Sequence, residues 1–132
     1  MHMLQSSWTG SSGTTYTFDY TQLSMMFRSV GNSPDIPTVP GVYIFARNTS
    51  SHVEFEAIYI GQSKNLHRRL IDDWNGGGHD ARECIELEQP TTLHILITSE
   101  PGSKFLFSED VRRKEIEGDL IVGYDPPCNR DR

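Results

Sequence analysis

"AIYIGQSKNLHRRL", residues 57–70, decides the fold, because its pattern changes from strand to helix within a few residues. "EAIYI" at 56–60 has the β-branched and aromatic content of a strand. From Ser63 onward Leu66, Leu70 and Trp74 recur at a helical interval until "NGGG" breaks the pattern. Ser63 reads as the N-cap, since its hydroxyl can accept an orphan amide hydrogen bond. Gly61, between strand and helix, would permit a tight turn or the close approach of a phosphate. The same stretch gathers Lys64, His67, Arg68 and Arg69 in a chain of net charge −6. Affinity for phosphate backbones rests largely on Lys and Arg, so this balance excludes a broadly basic coating protein and makes any nucleic-acid contact local.

Upstream, "GVYIF" at 41–45 also reads as a strand, and "ARNTSSHV" supplies turn formers, which gives an antiparallel hairpin with a long connection. Downstream, "HDARECIELEQ" at 79–89 is a second helix stopped by Pro90, and "TTLHILITS" at 91–99 is a third strand, central or well covered. "SEDVRRKEIEGDLIVGY" at 108–124 opens with Ser108 as a cap and with Glu109 and Asp110, acids that favour a helix N-terminus. "DPPCNRDR" is a rigid exit. Before the first strand, "GNSPDIPTVPG" at 31–41 is a loop, "YTFDYTQLSMMF" at 16–27 packs as a helix or as a strand plus helix, and residues 1–15 form a loosely docked lead-in. These elements define a small α+β layer structure.

The chain has 132 residues, enough for one core, and 36% hydrophobic with 23% charged residues is an ordinary globular composition. No apolar run approaches the roughly 18 residues that span a bilayer, and the first residues lack a signal-peptide layout, so the expectation is a cytoplasmic protein with no membrane contact. Cys84 and Cys128 lie far apart without zinc-like spacing and are expected to be free, reduced thiols.

Some residues fit structure poorly. On the last helix Val111, Ile116, Leu120 and Ile121 mark the buried side, yet Glu117 falls between them, where a carboxylate must be paired, bind a metal or sit at the rim. Arg69 lies near the inward edge of its helix, where an i,i+4 pair with Asp73 would contribute only about 0.2–0.5 kcal/mol if exposed. Tyr43 and Tyr59 occupy neighbouring strands, where packing alone would explain them. "RRK" at 112–114 reads as a solvated face.

Taken together, "GVY" at 41–43, "YIG" at 59–61, "KNLHRRL" at 64–70, and Glu117 followed by Asn129 resemble the GIY-YIG endonuclease family, over Gly41 to Asn129. The resemblance implies a small three-stranded antiparallel sheet flanked by helices, with residues 1–40 an N-terminal extension, partly flexible and a candidate docking segment, and residues 41–132 the nuclease domain. It implies hydrolysis of phosphodiester bonds, DNA favoured, with one Mg²⁺ or Mn²⁺ ion. Tyr43 becomes the general base or the residue that positions the water. Tyr59 and the phosphate-binding Arg69 act beside it, Glu117 holds the metal, and Asn129 contacts the substrate or orients the site. Gly61, Lys64 and Arg68 are further substrate contacts, Arg68 reading equally as a solvated residue. The family departs from this chain at Asp73, where many relatives carry histidine or tyrosine; Asp73 either pairs with Arg69 or assists the metal. His79 resembles a histidine at the start of the second helix in some relatives and would supply the proton-transfer group. Gln62 replaces a lysine, for which Lys64 compensates. A tyrosine with a pKa near 10 is a weak base at neutral pH, so Tyr43 is expected to be lowered by Arg69, Lys64 or the metal. An acidic nuclease of this size would gain affinity from a homodimer or a partner subunit. The competing reading is a module of the same fold that binds nucleic acid or protein without efficient cleavage.

Overall fold

The computed structural model describes residues 7–17, 19–25, 30, 31, 36, 38–48, 55–88, 93–99 and 110–130. Among the described residues six strands lie in chain order: β1 (Ser7–Thr9), β2 (Thr15–Thr17), β3 (Asp19–Met25), β4 (Gly41–Asn48), β5 (Phe55–Ser63) and β6 (Leu93–Ser99). The helical elements are a π-helical turn (Arg68–Asp73), α1 (Arg82–Leu87), α2 (Asp110–Tyr124) and a 3-10 turn (Pro127–Asn129). β1 and β2 form a separate hairpin, and the main sheet runs β3-β6-β4-β5, every pair antiparallel. The α+β class therefore holds, but the sheet has four strands where three were expected. The extra strand, β3, comes from the segment that read as a helix or a strand plus helix, and it places part of residues 1–40 in the main sheet.

β4 lies inside the sheet, and Val42 to Ala46 are fully buried. Strand alternation sends Tyr43 and Phe45 to one face and Val42, Ile44 and Ala46 to the other. On β5 the register slips between Phe45–Tyr59 and Ala46–Ala57, so Ile58 has no opposite number. This bulge puts Ile58 and Tyr59 against the same core, and Ala57 and Ile60 against the other. Leu66, Leu70 and Trp74 cover the first face. A strict four-residue repeat drifts around a helix of 3.6 residues per turn; the wider π turn holds these three side chains on one line. Ile116 and Leu120 of α2 cover the second face.

Several local expectations change. Ser63 ends β5 and its hydroxyl closes a turn on Asn65, accepting the Asn65 N–H at 3.0 Å; the helix start is capped by Asn65 Oδ1, which accepts the Arg68 N–H at 3.1 Å. The second helix is confined to Arg82–Leu87. Val111 is 70% exposed and Arg113 only 1%, because the inward stripe of α2 is Arg113, Ile116 and Leu120, spaced i, i+3, i+7. The 112–114 run is therefore not a solvated face throughout. Ser108, Glu109 and Pro90 lie outside the described residues.

Cys84 and Cys128 form a disulfide, so they are not free thiols. Packing α1 and the 3-10 turn over the same core brings their Cα atoms to 5.6 Å, inside the range for a disulfide despite a separation of 44 residues. The chain reaches that turn because Asp125, at φ 45°, adopts the left-handed conformation just after α2 and reverses direction before Pro126. The β1–β2 hairpin docks on α2: the Ser11 hydroxyl, the Ser12 amide and the Ser12 hydroxyl all donate to Asp119 at 2.8–2.9 Å, and the Thr9 amide donates to Tyr124 Oη at 2.9 Å.

Candidate active site

Tyr43 lies opposite Gly61 across β4 and β5, and Tyr59 lies opposite Phe45, so both tyrosines stand on the face covered by the π-helical turn. Their ring centroids are 6.1 Å apart. A Cβ at Gly61 would sit 2.5 Å from Tyr43 Oη, so glycine is required there to leave room for the phenol. The Gly61 backbone thus serves the site by accommodating Tyr43.

Tyr43 is fully buried, and its hydroxyl meets Nε2 of His79 at 2.8 Å. His79 is itself buried among Tyr43, Phe45, Tyr59 and Trp74, and burial with the nearby Arg69 charge lowers its pKa to about 4, against the opposing pull of Asp80 and Asp73. The ring is neutral at pH 7. Its Nδ1 accepts the Ala81 N–H at 3.3 Å, which leaves the ring proton on Nε2 and makes Tyr43 Oη the acceptor of the 2.8 Å bond. Burial raises the Tyr43 pKa well above its usual value; Tyr59 adds to the rise, and Arg69 opposes it without prevailing. The expected lowering of Tyr43 is therefore overturned in the protein alone, because a phenolate in this dry position loses more hydration than Arg69 returns. Tyr59 is shifted the same way by burial, with Arg69 opposing and Glu117 reinforcing.

Arg69 reaches this cluster from the π-helical turn. Its Nη1 donates to the Gly78 carbonyl at 3.0 Å and to Asp73 Oδ2 at 3.4 Å, and its Nη2 lies 3.8 Å from Asp80 Oδ1. Of the two roles left open for Asp73, the structure shows the pairing with Arg69. Beside Arg69 and Asp73 a cleft of about 370 Å³ runs between the end of β5 and α2, lined also by Gln62, Lys64, Asn65, Arg68, Arg113 and Lys114. Lys64 is 78% exposed and pairs with Asp110 at 3.4 Å, and Arg68 is exposed.

Glu117 approaches from α2, on the other side of edge strand β5. The Gln62 amide donates to it, and its pKa is raised by burial against the pull of Lys114, that amide and Arg69. A half-buried carboxylate whose surroundings still disfavour its charge suits a divalent cation, which would reverse that balance. Among the described residues no group of three or more His, Cys, Asp or Glu side chains could enclose a metal. A one-carboxylate site matches Mg²⁺, which keeps most of its waters and takes the rest of its ligands from a phosphate.

One contributor was not read from the sequence. Arg113, buried on α2, donates through Nε to Gln62 Oε1 at 2.9 Å and through Nη2 to Asp110 at 2.6 Å, fastening α2 to the end of β5 where Glu117 meets the Gln62 amide. Its i, i+3, i+7 spacing with Ile116 and Leu120 was the available signal. Asn129 was expected to contact substrate or orient the site; its Oδ1 accepts the Ile60 N–H at 2.7 Å and its Nδ2 donates to the Ile60 carbonyl at 2.8 Å. That grip fixes the strand between Tyr59 and Gly61. His67 is half-buried and no contact places it at the cluster.

Fold and site together define a layered α+β domain with a buried tyrosine–histidine pair, an arginine and a half-buried carboxylate around one sheet edge. The chain is similar to UvrABC system protein C of Petrotoga mobilis, 34% identical over 107 residues, which are 80% of this chain and 16% of that protein. It is also similar to the proteins of that name from Methanococcus maripaludis (30% over 100 residues, 76% and 16%) and Aquifex aeolicus (28% over 93 residues, 70% and 14%). The chain thus spans about one sixth of the length of the curated relatives it matches. No protein-family profile matches, and no solved structure does. Among the described residues no helix is long and apolar enough to cross a membrane.

Proposed function

We propose that the chain is a metal-dependent endonuclease unit of the GIY-YIG type, hydrolysing phosphodiester bonds in DNA, with residues 41–132 as the catalytic domain. The observation that carries this reading is the meeting of Tyr43 and Tyr59, their rings 6.1 Å apart, with Arg69 on the turn that covers them and Glu117 on the other side of edge strand β5. In this reading the Arg69 guanidinium binds the nonbridging oxygens of the scissile phosphate, whose charge grows in the transition state. Glu117 holds Mg²⁺ or Mn²⁺, which supplies Lewis-acid stabilisation of the developing charge. Tyr43 is neutral in the free protein and orients the attacking water. His79 Nε2–H and Arg69 favour its phenolate and Arg69 is the group that must strengthen its hold for Tyr43 to take a proton. Lys64 and Arg68 meet flanking phosphates along the cleft. The relatives belong by name to a system of several proteins, which supports a partner subunit as the source of further DNA affinity.

Asp73 and Asp80 beside Arg69 favour a second reading, a binding module of the same fold without efficient cleavage. One assay separates them: plasmid and single-stranded DNA incubated with Mg²⁺ or Mn²⁺, wild type against Glu117→Ala. Metal-dependent cleavage that falls about 10³-fold in the variant supports the nuclease. Equal cleavage by the variant sinks the assigned role of Glu117, and binding without cleavage under every condition establishes the module.

A further inference from the structure

We propose that Asp73 is an internal stand-in for phosphate: it occupies Arg69 in the free protein, and the substrate's phosphodiester binds by displacing it. This deepens the nuclease reading and rests on it.

Beside the Tyr43 and Tyr59 phenols, Arg69 is held at Nη1 by two kinds of partner. The Gly78 carbonyl, at 3.0 Å, is neutral and fixed by the backbone; the Asp73 carboxylate, at 3.4 Å, is charged and carried on a rotatable side chain. The carboxylate contact is long, and it engages the same Nη1 that serves Gly78 instead of forming the two parallel bonds of a bidentate pair. It is therefore the exchangeable partner. Both side chains are open to the cleft, at 21% and 37% exposure, and the cleft also presents Lys64, Arg68 and Lys114, with Asp110 paired to Lys64 and to the buried Arg113. A phosphate entering there offers the guanidinium a matching pair of oxygens, while the Gly78 carbonyl keeps the arm in place. Asp73 needs only a rotamer change to leave, since it stands one turn from Arg69 on the same helix. Asp80, at 3.8 Å and 87% exposed, competes less.

The test is anisotropy titration of a labelled oligonucleotide, duplex and single-stranded, in EDTA so that the strand stays intact, with wild type, Asp73→Asn, Arg69→Ala and the double variant. Asp73→Asn should tighten binding about threefold to tenfold and steepen the salt dependence by up to about one counterion. The gain should vanish in the Arg69→Ala background. With Mg²⁺ present, KM should fall while kcat does not rise, because the interaction removed opposes substrate binding. Unchanged or weaker binding by Asp73→Asn, or a gain that persists without Arg69, overturns the proposal. If neither wild type nor Asp73→Asn binds the oligonucleotide, the nucleic-acid reading and this inference fall together. Tighter binding by Asp73→Asn without cleavage by any form keeps Asp73 in this role and removes only the nuclease.

Discussion

The two faces that β4 and β5 present are both buried and chemically unlike. Against Ile116 and Leu120 of α2 lie Val42, Ile44, Ala46, Ala57 and Ile60, all aliphatic. The opposite face holds Tyr43, Phe45, Tyr59 and Trp74 around the neutral His79. The same alternation along β4 feeds both, so one strand supplies a packing surface and a reactive surface at adjacent positions. Burial is put to different uses on the two faces. On the aliphatic face it stabilises; on the aromatic face it also holds a phenol and an imidazole uncharged.

The largest effects should separate the faces by readout. Ile44→Ala should cost about 2–5 kcal/mol in denaturant unfolding, with the activity of each folded molecule retained. Tyr43→Phe should cost only about 1–3 kcal/mol, from the His79 donor left without its acceptor, and should lower cleavage at least 10²-fold. Equal losses of stability with cleavage intact in Tyr43→Phe would erase the distinction.

Next comes pH. His79 has a folded pKa of about 4 against an ordinary 6.5, so the unfolded chain binds more protons between those values. Its contribution to stability is complete above pH 6.5 and declines as pH falls toward 4, by on the order of 3 kcal/mol, with no further loss below. Urea unfolding of wild type minus His79→Gln across pH 4–7 isolates this slope, and a flat difference would mean that His79 is not held neutral by burial.

Reducing the Cys84–Cys128 bond is expected to have a comparable or smaller effect, about 2–4 kcal/mol for so long a loop. Because Cys128 adjoins Asn129, reduction should also loosen amide exchange at Ile60. Exchange at Ile44, paired on the far side of β5, should respond less.

Local chemistry made much of this legible. β4 and β5 announced themselves by β-branched and aromatic runs, and Leu66, Leu70 and Trp74 by their interval. The residues of the site were legible for two reasons: Arg69 and Glu117 stood out singly, as charges near the inward sides of their helices, and Tyr43 and Tyr59 joined them through a resemblance. What stayed hidden depends on contacts between distant segments. The disulfide joins helices 44 residues apart. The direction of the Tyr43 shift depends on how completely Trp74, Phe45 and His79 exclude water. β3 was ambiguous because "DYTQLSM" carries too little periodicity until β6 offers it a partner. Arg113 was a misreading, since choosing Val111 as an inward residue rotated the apparent stripe of α2.

The Asn129 side chain has a consequence beyond orienting the site. β5 is an edge strand, and its unpaired amides and carbonyls would otherwise template the addition of another chain. By accepting from the Ile60 N–H and donating to the Ile60 carbonyl, one carboxamide acts as a neighbouring strand a single residue long. It plugs the edge at the midpoint of β5, so the group that steadies the tyrosines also guards the sheet against edge-to-edge aggregation.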